Sequence, residues 1–212
     1  MPYCDYCHGT GSIPPASAFS LPMKCYRCTG TGHIDWKDLR PGDHVCYIYE
    51  DHAEQLKNIS QYLAEGIRRR ERCYYVFDHH SPEELDKAVS KHGIDPEHEH
   101  KRGALNYLSK HESYLVGGVF DAEAIITRWR ELAKKSVAAG YTGVRGAAEM
   151  SWVRGHADCQ HDLTNYELMV DLFFLNEQPR ITAVCQYDRR RISHLLVAGA
   201  RLSHRLVFQE KT

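Results

Sequence analysis

Several features that would assign this chain to a known class are missing from its sequence. No apolar stretch approaches the ~20 residues that a helix needs to cross a bilayer. The N-terminus also lacks the charged and apolar segments of a signal peptide. A formal net charge of −1 gives no global attraction to nucleic acid or to acidic membranes. We therefore expect a soluble, cytoplasmic protein without a membrane partner.

Recognisable catalytic motifs are absent as well. The sequence contains no GxSxG nucleophile elbow, no HExxH metal motif and no GxxxxGK[ST] phosphate loop, and no cysteine lies in a familiar nucleophile setting. These absences favour a protein that is not an enzyme. A length of 212 residues with 42% hydrophobic content is enough for one main domain and a small appendage.

The first 35 residues contain the clearest motif. The unit CxxCxGxG occurs at residues 4–11 and again at 25–32, with 17 residues between the two cysteine pairs. Glycines at positive φ let each turn fold around sulfur, and four thiolates can close a tetrahedron around Zn²⁺. We predict that residues 1–38 form a zinc knuckle that folds with its metal. The predicted structural zinc ligands are the four cysteines of the two units, Cys4, Cys7, Cys25 and Cys28.

The repeated unit resembles the paired knuckles in the cysteine-rich region of J-domain chaperones, with two copies here instead of four. That resemblance implies zinc binding without specifying a partner. A redox dithiol is the alternative for the same cysteines. The segment between the units contains Pro14, Pro15 and Pro22 and is predicted to be a loop.

Residues 39–212 are predicted to form one α/β domain. Strands that alternate with helices imply parallel pairing, right-handed crossovers and a doubly wound sheet. The predicted strands are 43–49, 72–78, 104–108, 114–116, 141–150, 180–187 and 202–208. The predicted helices are 50–70, 81–92, one that begins at 121, one around 166–173, and 189–198.

The loop after the first of these strands decides which ligands the domain can accept. Ligands of open α/β sheets bind beyond the carboxyl ends of the strands, where nucleotide hydrolases carry a glycine-rich phosphate loop. Here the loop reads Tyr49, Glu50, Asp51, His52. Two carboxylates and no glycine would repel a triphosphate, so we predict that the sheet lacks a phosphate-binding loop.

Cysteine and histidine side chains share faces of two predicted strands. His44 and Cys46 lie on one face of the first strand, and Cys185 and Tyr187 on one face of a later strand. If these strands are neighbours, His44, Cys46 and Cys185 could line one pocket, with His204 arriving from the last strand. Imidazole and thiolate suit a soft metal or a thiol-reactive ligand. A core of inert cysteines with a satisfied histidine is the alternative.

A carboxylate and an aromatic residue follow the strand at 141–150. Glu149 and Trp152 lie at its carboxyl end, where Trp152 could flank a small apolar ligand while Glu149 and Tyr187 fix its polar end. Alternatively, Glu149 caps a turn and Trp152 packs under a helix.

The sequence from 41 to 208 resembles the MEDS sensory domain, named for methanogens, methylotrophs and the dichloromethane-responsive regulator. The resemblance is carried by GDHVCYIYE at 42–50, ERCYYVFD at 71–78 and GYTGVRGAAEMSW at 140–152. It implies a RecA-like core without working nucleotide chemistry, used in prokaryotic signalling to sense simple hydrocarbon derivatives. Family members commonly carry a helix-turn-helix or a histidine kinase, whereas this chain carries the predicted knuckle.

The function predicted from these features is signal sensing. A small hydrocarbon-derived ligand would bind the α/β domain, and the zinc knuckle would relay its presence to a signalling or regulatory protein, in transcriptional or signal-transduction control. The predicted ligand-binding residues are His44, Cys46, Glu149, Trp152, Cys185 and Tyr187.

Two other functions remain open from the sequence. The first is an adaptor whose knuckle and arginine runs, 68–70 and 189–191, hold nucleic acid or protein while the α/β core serves as a scaffold. The second is a metal or redox enzyme that uses His44, Cys46 and Cys185. The oligomeric state, including a homodimer, is also open.

Overall fold

The computed structural model describes Cys4 and residues 6–15, 21–156 and 159–209. The strands are β1 (Ser12–Ile13), β2 (Met23–Lys24), β3 (His44–Tyr49), β4 (Arg72–Phe77), β5 (Leu105–Ser109), β6 (Val144–Glu149), β7 (Ile181–Asp188) and β8 (Leu206–Gln209). The α-helices are α1 (His52–Arg68), α2 (Pro82–Ser90), α3 (Pro96–Lys101), α4 (Lys110–Ser113), α5 (Ala122–Ala138), α6 (Cys159–Glu177) and α7 (His194–Leu202). Short 3₁₀ helices lie at Trp36–Asp38, Val116–Gly118 and Ser151–Gly155. Within these ranges no helix combines the length and apolar composition that spanning a membrane requires.

Six of the strands form one parallel sheet in the order β5-β4-β6-β7-β3-β8. Every residue of β3 and of β6 is buried, as expected for inner strands covered on both faces. The doubly wound, mainly parallel sheet predicted from the sequence is confirmed. Strands β7 and β8 flank β3 on its two sides, so the side chains predicted to share a pocket do lie on adjacent strands.

Helices cover both faces of the sheet. Helices α1 and α2 pack on one face through residues such as Ile59 and Leu85. Helices α5, α6 and α7 pack on the other through residues such as Ile125, Val170 and Leu196. Because strand side chains alternate, β3 contributes to both cores.

Side-chain caps fix where the helices begin. Asp51 caps α1, Asp121 caps α5 and Ser193 caps α7, each by accepting hydrogen bonds from backbone N–H groups of the first turn. Ser81 caps α2 in a capping box with Glu84. Each cap satisfies donors that the first helical turn would otherwise leave unpaired.

Three sequence predictions about this domain are wrong. The segment 114–116 is not a strand, because the chain turns there into a 3₁₀ helix with Gly117 at φ +69°. Helix α7 starts at His194 instead of 189, since Ser193 supplies its cap. The same helix runs to Leu202, so β8 begins only at Leu206.

The N-terminal knuckle packs against the α1 face of the sheet. Strand β1 pairs antiparallel with β2, so the segment predicted to be a loop contains a short hairpin, although residues 16–20 lie outside the described part of the chain. Trp36 contacts Tyr47 of β3 edge-on at a ring distance of 5.0 Å, and Arg27 pairs with Asp43 at 2.6 Å. The cysteines, Trp36 and the β3 residues belong to one apolar cluster, so the knuckle is part of a folded core.

Candidate metal centres and ligand cavity

The four knuckle cysteines meet at one point, in a group that we call the cysteine tetrad (Cys4, Cys7, Cys25 and Cys28). Their Sγ atoms all lie within 4.8 Å of one another, and all four residues are buried. The Cys4–Cys25 and Cys7–Cys28 sulfur distances are 3.8 and 3.7 Å. In a tetrahedron with metal–sulfur bonds of about 2.3 Å, neighbouring sulfurs are roughly 3.8 Å apart. The tetrad therefore fits a tetrahedral metal ion.

Glycines make this geometry possible. The N–H groups of Gly11 and Gly32 donate to the sulfurs of Cys7 and Cys28, each at 3.2 Å. A Cβ on Gly32, which lies at φ +77°, would collide with the carbonyl oxygen of Gly9. Burial opposes ionisation of Cys28, but the amides of Gly32 and Gly30 outweigh it and lower the pKa of this thiol to about 6. These amides thus favour the thiolate of Cys28, whereas burial raises the pKa of the Cys4 thiol to about 12.

A second group of potential metal ligands lies inside the α/β domain, and we call it the mixed tetrad (His44, Glu167, Cys185 and His204). One donor atom from each residue lies within 4.8 Å of the other three, and all four residues are buried. Strand β3 supplies His44, β7 supplies Cys185 and α6 supplies Glu167. His204 comes from the turn between α7 and β8, and not from the last strand as predicted, because α7 is longer than expected.

Distances within the mixed tetrad are short. Glu167 Oε2 lies 3.3 Å from His44 Nε2, 3.5 Å from Cys185 Sγ and 3.6 Å from His204 Nε2. His44 Nε2 lies 3.6 Å from Cys185 Sγ. The two imidazole rings are tilted by 30° to each other, with a centroid separation of 3.9 Å. The carboxylate oxygen is therefore close to both imidazoles and to the thiol.

Neighbouring groups orient the mixed tetrad. His204 Nδ1 is 2.7 Å from the carbonyl oxygen of Ala200, a contact that requires Nδ1 to carry the proton and to donate it. Tyr187 donates its hydroxyl to Glu167 Oε1. Asp171 Oδ1 lies 3.9 Å from His44 Nδ1, on the side of the ring that faces away from the other three residues.

The ionisable groups of the mixed tetrad shift one another's pKa values, in competition with the effect of burial. Burial disfavours ionisation of Glu167, but His204 and His44 outweigh burial and lower the pKa of its carboxyl. Burial likewise opposes protonation of His44, yet Asp171 and Glu167 raise the pKa of its imidazole. Burial and the neighbouring His44 lower the pKa of His204 to about 3. Without a metal, a neutral imidazole therefore directs a lone pair toward a carboxylate.

An apolar cavity of about 40 Å³ lies against the mixed tetrad. By this measure a water molecule needs roughly 10–15 Å³, so the cavity can hold a molecule of a few heavy atoms. Helices α5 and α6 close it over the sheet. The residues that line it include His44, Cys185, Tyr114, Trp129, Phe173 and Phe174. The cavity and the mixed tetrad therefore share His44 and Cys185.

Of the six predicted ligand-binding residues, His44 and Cys185 lie at the cavity wall. Cys46 is buried beside Cys185 in the paired strands β3 and β7, and burial raises the pKa of its thiol. Tyr187 is not a member of the mixed tetrad, but its hydroxyl donates a hydrogen bond to Glu167, which is. Trp152 stacks on Tyr114, which itself lines the cavity, at a ring distance of 5.3 Å. Direct ligand contact through Cys46, Trp152 or Tyr187 stays a prediction.

Glu149 is engaged on the opposite side of the sheet. One of its carboxylate oxygens accepts a hydrogen bond from the Tyr75 hydroxyl at 2.6 Å. The other accepts from the backbone N–H groups of Asp78, at 3.0 Å, and of His79. This carboxylate therefore holds the loop after β4, which matches the alternative that Glu149 caps a turn.

Sequence reasoning missed Glu167. This residue lies one position after Tyr166, four after Leu163 and three before Val170, all of which are buried on the inner face of α6. A carboxylate at a position that helical spacing assigns to the core is the available signal. Buried charges are rare unless paired or bound to a metal, so such a residue indicates a site.

The loop after β3 is built differently from a phosphate-binding loop. Asp51 accepts hydrogen bonds from the N–H groups of Ala53 and Glu54, which are the donors that a phosphate would use at a helix N-terminus. Glu50 pairs with Arg189 at 3.0 Å. The Asp51 carboxylate thus takes the position at the N-terminus of α1 where a phosphate would bind.

Comparison with known proteins identifies one family and one fold. The family model described as "MEDS: MEthanogen/methylotroph, DcmR Sensory domain" matches residues 43–205. A KaiC-like protein from the hyperthermophilic archaeon Pyrococcus horikoshii has a similar structure, with a TM-score of 0.55 and 13% sequence identity over 80% of this chain and 71% of that chain. At this identity the likeness concerns the fold alone, and it confirms the RecA-like sheet. No curated protein matches the chain.

Proposed function

The chain belongs to the MEDS family of sensory domains, and from this premise we propose that it is a signal-sensing protein that binds a small hydrocarbon-derived molecule. The site of binding is the cavity between the sheet and helices α5 and α6. The role is binding, without catalysis. A regulatory protein reads the bound state through the N-terminal knuckle.

This proposal rests on the size and the apolar lining of the cavity, both of which suit such a ligand. Its volume of about 40 Å³ admits a molecule of a few heavy atoms and excludes a nucleotide. Aromatic and aliphatic walls favour an apolar molecule. His44 and Cys185 add an imidazole and a sulfur at one end, and these polarisable groups can distinguish a halogenated or heteroatom-bearing molecule from a plain hydrocarbon.

Strand β3 offers a route from the cavity to the knuckle. On one face it carries His44, which lines the cavity. On the other face it carries Tyr47, which contacts Trp36 at the base of the knuckle. A ligand can bias the knuckle only if it prefers one arrangement of this strand and its neighbours. The ion in the cysteine tetrad is Zn²⁺ in this proposal, because four thiolates in a closed tetrahedron are typical of structural zinc.

A binding experiment tests the proposal. Titration of the full chain with dichloromethane, followed by amide chemical shifts, should perturb residues around Trp129 and Phe173 before any others. Ala148→Val narrows the cavity and should weaken this binding at least tenfold. Ala88→Val makes the same change in the core of α2, away from the cavity, and should leave binding unchanged. Equal binding to both variants, or shifts confined to the surface, would count against the cavity as the site.

The adaptor alternative has one observation in its favour. The knuckle exposes a pair of aromatic rings, Tyr6 and Tyr26, whose centroids are 4.7 Å apart and whose exposed fractions are 50% and 59%. Such a pair suits contact with another molecule. The arginine runs give less support to nucleic-acid binding, because two of their side chains are already engaged. Arg69 donates to the backbone carbonyls of Lys37 and Leu39, and Arg189 pairs with Glu50. Nucleic-acid binding that weakens steeply with salt would favour the adaptor.

A further inference from the structure

The mixed tetrad has the dimensions of an occupied coordination sphere. For metal bonds of about 2.0–2.1 Å to nitrogen or oxygen and 2.3 Å to sulfur, a tetrahedron has N–O edges of roughly 3.3 Å and N–S or O–S edges of roughly 3.5 Å. Four of the six edges are 3.3 and 3.6 Å for N–O, 3.6 Å for N–S and 3.5 Å for O–S, and the other two are within 4.8 Å. One ion could therefore contact all four groups with little movement.

An unpaired nitrogen also points into this space. His204 Nδ1 donates to Ala200, so Nε2 of the neutral ring carries a lone pair. This buried Nε2 forms no hydrogen bond with any residue that the structure describes. The carboxylate oxygen Glu167 Oε2 lies 3.6 Å from this nitrogen. A lone pair and a carboxylate repel each other in an apolar interior, and a cation between them removes the conflict.

A simple ion pair between His44 and Glu167 does not account for the whole arrangement. That pair would satisfy one carboxylate oxygen, and Tyr187 already satisfies the other. It would leave His204 Nε2 without a partner among the described residues, although the Cys185 thiol can donate a hydrogen bond to the same carboxylate oxygen at 3.5 Å. One cation gives all four groups a favourable contact.

Groups behind the tetrad are arranged as in metal sites. Histidines that bind metals commonly donate their second ring nitrogen to a carbonyl or carboxylate. His204 donates to the Ala200 carbonyl, and His44 faces Asp171. The Tyr187 hydroxyl holds the second oxygen of Glu167. Phe174 stacks against His44 and completes an apolar shell.

We propose that His44 Nε2, Glu167 Oε2, Cys185 Sγ and His204 Nε2 bind one divalent transition-metal ion in the core of the domain. Two imidazoles with one thiolate and one carboxylate form a borderline donor set, which suits Zn²⁺ and disfavours Mg²⁺ or Ca²⁺. Binding displaces to solvent the thiol proton of Cys185 and, from any molecule in which His44 is protonated, the Nε2 proton of that ring, and it leaves both imidazoles neutral. Because His44 and Cys185 also line the cavity, the ion lies at the cavity wall. The proposal does not depend on the sensing role.

Zinc stoichiometry of the full chain tests this site. Protein saturated with Zn²⁺ and freed of excess ion should carry two equivalents by native mass spectrometry, one for each tetrad. Cys185→Ser and Glu167→Gln should each reduce the count to one. The matched control is Cys46→Ser, which changes a buried thiol next to Cys185 that lies outside the tetrad and should retain two equivalents.

A second measurement covers variants that fold poorly. In Cys25→Ser/Cys28→Ser protein, the mixed tetrad is the one group of four ligands left intact among the described residues, and zinc X-ray absorption should show one sulfur together with nitrogen or oxygen neighbours. A single equivalent in the wild type, or an all-sulfur shell for every bound ion, would overturn the proposal. Loss of the second equivalent in Cys46→Ser but not in Cys185→Ser would also overturn it.

Discussion

The two tetrads present the same problem of bringing four ligands together, and the chain solves it in opposite ways. The cysteine tetrad uses two copies of one short unit, and its ligands all come from the first 28 residues. The mixed tetrad takes one ligand each from β3, α6, β7 and the turn before β8. The first is positioned by glycine turns and the second by the packing of a whole domain.

This difference predicts different dependencies. The cysteine tetrad is built on short glycine turns and a small hairpin at the end of the α1-face core, so its metal should hold these turns together. The mixed tetrad lies between the sheet and α6, in a domain whose sheet is covered by helices on both faces, so the geometry of the tetrad should persist without an ion. Changes at the first site should therefore act on folding, and changes at the second on metal affinity.

Removal of the knuckle metal should have the largest effect. In Cys28→Ser protein, residues 6–15 and 21–35 should lose hydrogen-exchange protection, because metal binding supplies about 10–16 kcal/mol to structural zinc sites of this kind. The α/β domain should keep its protection. Cys159→Ser is the control, since this thiol belongs to neither tetrad. A knuckle that stays protected without metal would remove the contrast between the two sites.

Substitution of a knuckle glycine should have the next largest effect. Gly32→Ala adds a Cβ that collides with the carbonyl oxygen of Gly9, on top of the strain of positive φ. Gly42→Ala also adds a Cβ at positive φ, +96°, which strains an L residue by about 1–2 kcal/mol, but this Cβ would meet no heavy atom within 4 Å beyond its chain neighbours. Zinc competition with a chromophoric chelator should show much weaker binding for Gly32→Ala only. Similar losses in both variants would mean that strain, not collision, is responsible.

Substitution of Tyr187, whose hydroxyl contacts Glu167, should have an intermediate effect on zinc affinity. Tyr187→Phe removes the hydroxyl that holds Glu167, and affinity for the second Zn²⁺ should fall about 10–100-fold. Tyr62→Phe is matched to it, because that buried hydroxyl donates to Gly146 and Thr182 on the α1 face. Both variants should lose about 1 kcal/mol of stability, measured by urea unfolding. Unchanged second-site affinity in Tyr187→Phe would argue that Glu167 needs no support.

The smallest effect should come from Asp171. This carboxylate lies 3.9 Å from His44 Nδ1, beyond hydrogen-bond distance, and it also faces Arg205. Asp171→Asn should weaken second-site zinc binding by less than tenfold, because partly exposed ion pairs contribute about 0.2–1 kcal/mol. Glu177→Gln, on the same helix and paired with Arg130, should change nothing at the metal site. A loss as large as that of Tyr187→Phe would assign Asp171 a direct role.

The sequence was sufficient for the fold and for the cysteine tetrad. Alternating strands and helices dictate a doubly wound sheet, and the cysteine spacing places four sulfurs within reach of one ion. Both inferences use interactions between residues near in sequence. The helix starts near residues 81 and 121 could be predicted for the same reason, because Ser81 and Asp121 cap the turns that follow them directly in sequence.

The mixed tetrad was only partly predictable. His44 and Cys185 follow from strand faces and strand adjacency, whereas His204 was predicted on the last strand and lies in the turn before it. Glu167 depends on how α6 packs over β3 and β7. That register is set by side-chain packing between elements far apart in sequence. Cys46 was included because it shares a face with His44, yet residues two apart on a strand are separated by roughly 6.5–7 Å. That spacing keeps Cys46 out of a cluster whose donor atoms lie within 4.8 Å.

The span of the mixed tetrad along the chain sets an order of events during synthesis. Its first ligand is residue 44 and its last is residue 204, so synthesis must pass residue 204 before the set is complete. The knuckle emerges first and can capture an ion while the rest is still being translated. A newly made molecule would therefore load its N-terminal ion first, and a chain released before residue 204 would never acquire the second.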